Sequence, residues 1–445
     1  MRLPPCSLPT LLAIVCASGT LPAVTIKDDG LTVALKGQIQ ARASIGAGGT
    51  FESSSPTAPN SYDPLRGSTG EADLFRFDFR RVRVGIDAQY GDGWYGTITL
   101  ASEKNDLTES GKNSRAVNLY YAYLGKTFKD EDISHSIRGG LDKIFNNDSI
   151  ISSSSALFPN DRPTQALTSY RNLGLGYRFQ SPIVNFGTNV ANNSSGSKPK
   201  GAGENTVSDA GNSRNGFLVS GRVEFSPSKA LMIEPDKRKE SYLGKEGTQV
   251  VFGLEIQVER NRLEDGAASG IAATNPLAPG TPLAGTNPYV VSNNTVWGPD
   301  ALFHWNALTL LGELRAGKTT RTQYNDNGAE AAVEPVPFLY WSVQAGYAFP
   351  IPGGLVLEPA IRFSFVDQNR DLDNNSNYFS GYDYADMNYK DGGKLQDISG
   401  KQVEIGLNLY EKGTTCKTQL EYLNWRGENG NGSAHMFILQ QQIAF

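Results

Sequence analysis

The sequence predicts an all-β fold, a single 16-stranded antiparallel transmembrane β-barrel with short turns at one end and long loops at the other. Three observations predict it. Apolar and polar residues alternate with period two through almost the whole chain. The alternating segments are even in number, and the connections between them are short and long by turns. The 445-residue chain stops on a bare aromatic, Phe445, at the end of a segment that alternates like the others, whereas frayed soluble termini tend to be polar.

Composition permits this fold and removes its competitors. Hydrophobic residues make up 39% of the chain, and no apolar run of about 20 residues follows the N-terminal segment, so helical membrane spans are excluded. Barrel strands need only about ten residues each, apolar at alternate positions, which leaves the average hydropathy low. A net charge of −5 argues against nucleic acid as a partner. Arg2, the apolar stretch Leu11 to Val15 and the small residues Ala17, Ser18 and Gly19 read as a secretory signal peptide over residues 1–23, which leaves 24–445 as the barrel domain. Cys6 and Cys16 leave with that peptide. Only Cys416 stays, so the exported chain has no internal disulfide.

The first strand is expected over 31–45. Val33, Leu35, Gly37, Ile39, Ala41 and Ile45 share one face, and Thr32, Lys36, Gln38, Gln40, Arg42 and Ser44 share the other. A soluble sandwich would bury the apolar face, whereas a barrel turns it to lipid and lines a watery lumen with the polar one. The second strand, 74–90, carries Phe75, Phe77 and Phe79, then Val82, Val84 and Ile86; the slip at Arg80-Arg81 reads as a β-bulge. Further strands are expected at 94–104, 115–126, 133–142, 171–180, 183–190, 215–226, 250–260, 299–306, 307–317, 337–349, 353–366, 402–411, 414–425 and 434–445.

Short turns fall at Gly91-Asp92-Gly93, around Lys129, at Ser181-Pro182, near Asn306, at Pro350 to Gly353 and at Glu411-Lys412-Gly413. Long polar loops fall between them, at 46–73, 105–114, 143–170, 191–214, 261–294, 318–336, 367–401 and 426–433. Only 227–249 breaks the alternation, as a long connection where a short turn is due. Even parity puts both termini on the periplasmic side, where Phe445 meets the inner lipid interface and resembles the C-terminal signal read by the outer-membrane assembly machinery.

Several short stretches carry a family likeness. Phe77-Asp78-Phe79-Arg80-Arg81-Val82-Arg83-Val84-Gly85-Ile86, with the Gly-Asp-Gly turn and Trp94 after it, resembles the second strand and first turn of the phosphate-selective porin O and P family. Arg138 to Phe145, Gly221-Arg222-Val223, Arg362 and Gly406 to Tyr410 fit the same pattern. The resemblance implies a trimeric outer-membrane channel that conducts anions, with phosphate or polyphosphate as type substrates.

Anion selectivity requires cations on the inward faces, because a narrow pore must replace the hydration an anion sheds. Lys36, Arg42, Arg76, Arg80, Arg81 and Arg83 fall on the inward set of the first strands, and Lys143, Arg222 and Arg362 extend it. Arginine suits oxyanions, since its fork binds two oxygens at once. A blander reading has these arginines pairing with Asp78 and Asp87 and solvating the wall. Inward Arg138, Arg178, Arg315 and Lys417 face Asp142, Glu224, Glu255, Glu259, Glu313, Glu358, Glu404 and Glu421, which limits selectivity.

Which loop narrows the pore is left open by the sequence; loop 143–170 is a candidate to fold inward, with Arg162 and Arg171 near its end and Ser152 to Ser155 as hydrogen-bond donors or plain solvated residues. Asp371 to Asn375 resembles the start of a calcium loop without its Gly and distal Glu, so no metal is expected, although an acidic outer loop suits cations bridging lipopolysaccharide. His135, His304 and His435 form no helix-borne pair and there is no nucleotide loop, so neither cofactor nor catalysis is expected. The expected function is passive diffusion of small anionic or hydrophilic solutes through a homotrimer in the outer membrane. Its rivals are an unselective or sugar-conducting pore, for which aromatic tracks such as Tyr120 would matter, an outer-membrane hydrolase, and a structural or adhesive barrel.

Overall fold

A computed structural model describes residues 25–47, 74–103, 117–145, 153–160, 162–163, 171–192, 216–233, 238–244, 247–263, 289–324, 330–367, 370, 390–391, 394–395, 399–427 and 433–445. The expected signal peptide, the loop 191–214 beyond Asn192, and Asp371 to Asn375 lie outside these residues.

Sixteen long strands close into one antiparallel barrel. In chain order they are β1 (Leu31–Ala47), β2 (Leu74–Tyr90), β3 (Trp94–Glu103), β4 (Asn118–Asp130), β5 (Ile133–Lys143), β6 (Arg171–Gln180), β7 (Val184–Asn192) and β8 (Phe217–Phe225). There follow β9 (Thr248–Leu263), β10 (Tyr289–Trp305), β11 (Leu308–Tyr324), β12 (Glu330–Tyr347), β13 (Leu355–Asp367), β14 (Ser399–Lys412), β15 (Cys416–Gly427) and β16 (Ser433–Ala444). Each strand pairs with the next, and β16 returns to β1 from Gln38↔Ala444 to Ala47↔His435. Every expected strand is present.

Burial runs opposite to that of a soluble protein. Along β9, Phe252, Leu254 and Ile256 are about half exposed, while the alternate residues Glu255, Gln257 and Glu259 are buried. Apolar side chains on the outside and polar ones inside make sense only where the outside solvent is hydrocarbon. Tyr90, Trp94, Phe128, Trp305, Tyr347 and Phe349 are exposed beside the short turns, an aromatic girdle at the inner interface.

Closure explains the terminal residue. Phe445 donates its N–H to the Gly37 carbonyl at 3.0 Å and accepts from the Gly37 N–H at 2.8 Å, so the last residue is part of the sheet. Its ring lies on Gly37, where a Cβ would come within 3.0 Å of it. Below this point the edge of β1 is covered by a short arm, Thr25–Asp28, paired with Leu31 to Ala34. Gln441, a polar position on the lipid side, is satisfied by the Thr418 hydroxyl.

The structure departs from the alternation pattern in three places. Strands β10, β11 and β12 run well past the expected 299–306, 307–317 and 337–349 at the long-loop end, with pairs as far as Tyr289↔Tyr324. The residues added there on β10 and β11 are rich in Ser, Asn and Thr and pair as strand without an apolar period to mark them. The lumen wall is also not uniformly polar, because Val296, Phe338, Tyr340, Val366, Leu423 and Trp425 form an inward apolar cluster. Finally, bulges occur between β1 and β2 at the expected Arg80 and between β3 and β4 at Tyr120.

Candidate functional site

Two segments enter the lumen from opposite mouths. The described part of the loop after β5, residues 144–145, 153–160 and 162–163, folds inward and rests its apolar side chains on glycines of the wall. A Cβ on Gly187 would strike the Phe145 ring, and Cβ atoms on Gly346 and Gly406 would come within 2.9 Å of Leu157 and Phe158. The wall polar groups hold the loop backbone. Lys417 donates to the Ala156 carbonyl at 2.6 Å, Gln442 to Ser154 at 3.0 Å, Arg362 to Asn160 at 3.0 Å, and Arg42 to Pro159.

The second segment is the long connection 226–247 between β8 and β9, the one that broke the loop alternation. It packs upward as Met232, Ile233 and Tyr242 against Phe145, Val251, Leu302 and Leu311. Tyr242 stacks on His304 with centroids 4.3 Å apart, and burial pushes its hydroxyl pKa up to about 12.

The two segments meet at Glu240. Its backbone N–H donates to Ser155 Oγ at 2.9 Å, and its carboxylate accepts from the Leu157 N–H at 3.0 Å, from Gln344 Nε2 at 2.9 Å and from Arg162. Arg162 in turn donates to Glu313 at 2.6 Å. Burial opposes ionisation of Glu240, yet Arg162 and these donors hold the carboxyl below its ordinary range. Ser155 is therefore neither solvated nor available to a solute, a correction to both readings at that position, whereas Ser152 lies outside the described residues.

Lumen charges divide into two populations. On β8 to β15 they neutralise one another out of reach of water. Arg222 grips Asp300 with two nitrogens, at 2.6 and 2.8 Å, and also contacts Glu224 and Glu255. Arg238 joins at Glu224, Arg315 bonds Glu255 at 2.7 Å, and Arg362 clamps Glu404. Arg222 and Arg362 are each 1% exposed, which corrects their expected place on the solute path: both are struts of the wall.

On β1 to β5 five cations stay accessible, while Arg42 and Arg138 are buried, the latter paired with Asp142. Lys36, Arg80, Arg81, Arg83 and Lys143 are all only partly buried. Arg81 and Arg83 donate to Gln40 and Gln38 at 3.3 and 3.4 Å, and both glutamines donate to Gln442, which reaches the infolded loop. Lys36 pairs with Asp87 at 2.6 Å, with both side chains 40% exposed. Arg42 sits on the same wall but is buried against Pro159 and Gln440. Arg76 lies in β2, and its side chain is outside the described residues.

The sequence did not single out Tyr121 or Tyr123. Strict alternation turns Tyr121 away from Tyr120, but the bulge at Tyr120 brings both to the lumen side. Arg83 and Arg171 lie over the Tyr120 ring, 4.1 and 3.3 Å from its centroid. Tyr123 continues the row and meets Thr97, which bonds Asp87 at 2.6 Å. Three tyrosines within four positions of one strand, Tyr120, Tyr121 and Tyr123, were the available signal.

No family model and no curated protein matches this chain. Among solved structures it is similar to OprB of Pseudomonas putida, at 10% identity and a TM-score of 0.54, over 92% of this chain and 94% of that one. It is also similar to an anion-selective porin from Comamonas acidovorans, at 10% identity and a TM-score of 0.50, over 93% of this chain and 100% of that one. The likeness is one of fold. Together with the apolar exterior it defines the class: a bacterial outer-membrane β-barrel with porin architecture.

Proposed function

We propose that this barrel is a passive porin for small hydrophilic solutes that prefers anions, phosphate among them, and works as a homotrimer after export on residues 1–23. One observation carries the preference. Among the described lumen-facing strand residues, the accessible charges are Lys36, Arg80, Arg81, Arg83 and Lys143 against Asp87 alone, whereas the other carboxylates are under 9% exposed. A charge that keeps contact with water attracts a passing ion, whereas one neutralised within a buried network contributes little field to the path.

The described parts of loop 144–163 and of the 226–247 segment rest on β7, on β9 to β16 and on Arg42 of β1, while Lys36, Arg80, Arg81, Arg83 and Lys143 stay partly exposed. The arginines offer two-oxygen recognition of phosphate-like anions. Reversal potential in a KCl gradient across planar bilayers tests the reading. Wild type is expected on the anion side, Arg81→Ala and Arg83→Ala are each expected to move it toward zero, and a cation-side value for wild type would overturn it.

A further inference from the structure

We propose that Tyr121 and Tyr123, on the accessible basic wall, form a binding subsite for organic anions that carry a flat apolar body beside the charge, aryl carboxylates being the simplest class. The inference rests on the anion-preferring pore proposed above and adds which anions it retains. Inorganic ions need only donors and charge, and the inward rings of the opposite wall, Phe338, Tyr340, Tyr410 and Trp425, are buried. On the β3–β4 side Tyr95, Tyr121 and Tyr123 stay partly exposed.

The row has a definite geometry. Tyr120 and Tyr121 meet edge to face with centroids 4.6 Å apart, Tyr121 and Tyr123 at 6.4 Å, and Tyr123 and Tyr95 at 6.2 Å. It depends on a bulge, which gives up one rung of the β3–β4 ladder and brings two adjacent tyrosines to the same side.

The rings differ in what they already hold. Tyr120 is 6% exposed and covered by the guanidiniums of Arg83 and Arg171, so it acts as the prop that sets them. Tyr121 and Tyr123 are only partly buried, and their cations stand farther off. Lys143 lies 5.8 Å from the Tyr121 centroid and is the cation the subsite offers, whereas Arg138, 5.6 Å from that of Tyr123, is buried and paired with Asp142. A partly open ring with a cation at its rim matches a carboxylate joined to a planar body, the charge on the cation and the flat face on the ring. Such contacts support about a two- to tenfold preference, weak enough for a solute to leave again.

Sodium benzoate and sodium acetate, equal in charge, separate ring contact from simple attraction. The readout is the concentration of each that halves chloride conductance of the full chain in planar bilayers. Wild type is expected to need about two- to tenfold less benzoate than acetate. Tyr121→Leu should bring the two values together, and Tyr121→Phe should keep them apart; Tyr123→Leu serves if the first variant fails to insert. Equal values in wild type, or a difference that survives the leucine variants, overturns the subsite. The wild-type KCl reversal potential, taken in the same bilayers, reports separately on the anion reading beneath it.

Discussion

Arg83 and Arg222 carry the same charge into the same lumen, and their surroundings give them opposite jobs. Arg222 is enclosed by Asp300, Glu224 and Glu255. Arg222→Leu would leave those carboxylates buried without their cation, at a cost of about 3–5 kcal/mol. Chemical unfolding in detergent should show that loss, while the reversal potential of whatever inserts stays on the wild-type side. Arg83→Ala should do the reverse, costing about 1 kcal/mol or less, as surface charges do, and shifting selectivity. At the C-terminus, Gly37→Val places branched atoms where the Phe445 ring lies. Both this change and deletion of Phe445 should lower the amount of folded barrel recovered from the outer membrane, read as the fraction that resists unfolding in cold detergent.

At the scale of elements, the 226–247 segment and the infolded loop 144–163 form one internal support. The joint is Glu240, faced by Arg162 and the Leu157 N–H from the loop and by Gln344 from β12, with Arg362 adding attraction from β13. Its folded pKa is depressed, so the stability it contributes is full above the ordinary carboxylate range and is lost as pH falls through the lowered value. Conductance is therefore expected to be steady from about pH 5 to 8 and to become larger and noisier below about pH 4. Glu240→Gln should show the acid behaviour already at neutral pH. Replacing 227–246 with a two-residue turn should loosen the loop, leaving it to wall contacts such as Lys417, Gln442, Arg362 and Arg42, and unchanged conductance in that variant would exclude this support.

For the whole molecule, the asymmetry of accessible charge around the lumen is the main electrical property. Fields from exposed charges are screened over about 10 Å at 0.1 M salt and about 3 Å at 1 M. The anion preference should fall steadily across that range, measured as the permeability ratio from reversal potentials. The apolar exterior requires detergent for solubility, and size measurement in detergent of the undenatured protein should give three chains.

Strand order and lipid face were legible from the sequence because both are set locally. Alternate side chains of a strand point to opposite sides, so a period of two in Val33 to Ile45 or Phe252 to Ile256 already separates lipid from lumen. The Arg80 bulge was legible for the same reason, as a break in that period. The ends of β10 and β11 were not, because their Ser-, Asn- and Thr-rich sequence carries no apolar period. The lumen itself was decided by the closed sheet. Glu240 and Ser155 lie 85 positions apart, and Arg42 and Pro159 lie 117 apart, so nothing local pairs them. Which arginine stays in contact with the pore water and which is locked among carboxylates depends on what the ring of sixteen strands brings opposite it, and only the tertiary structure decides that.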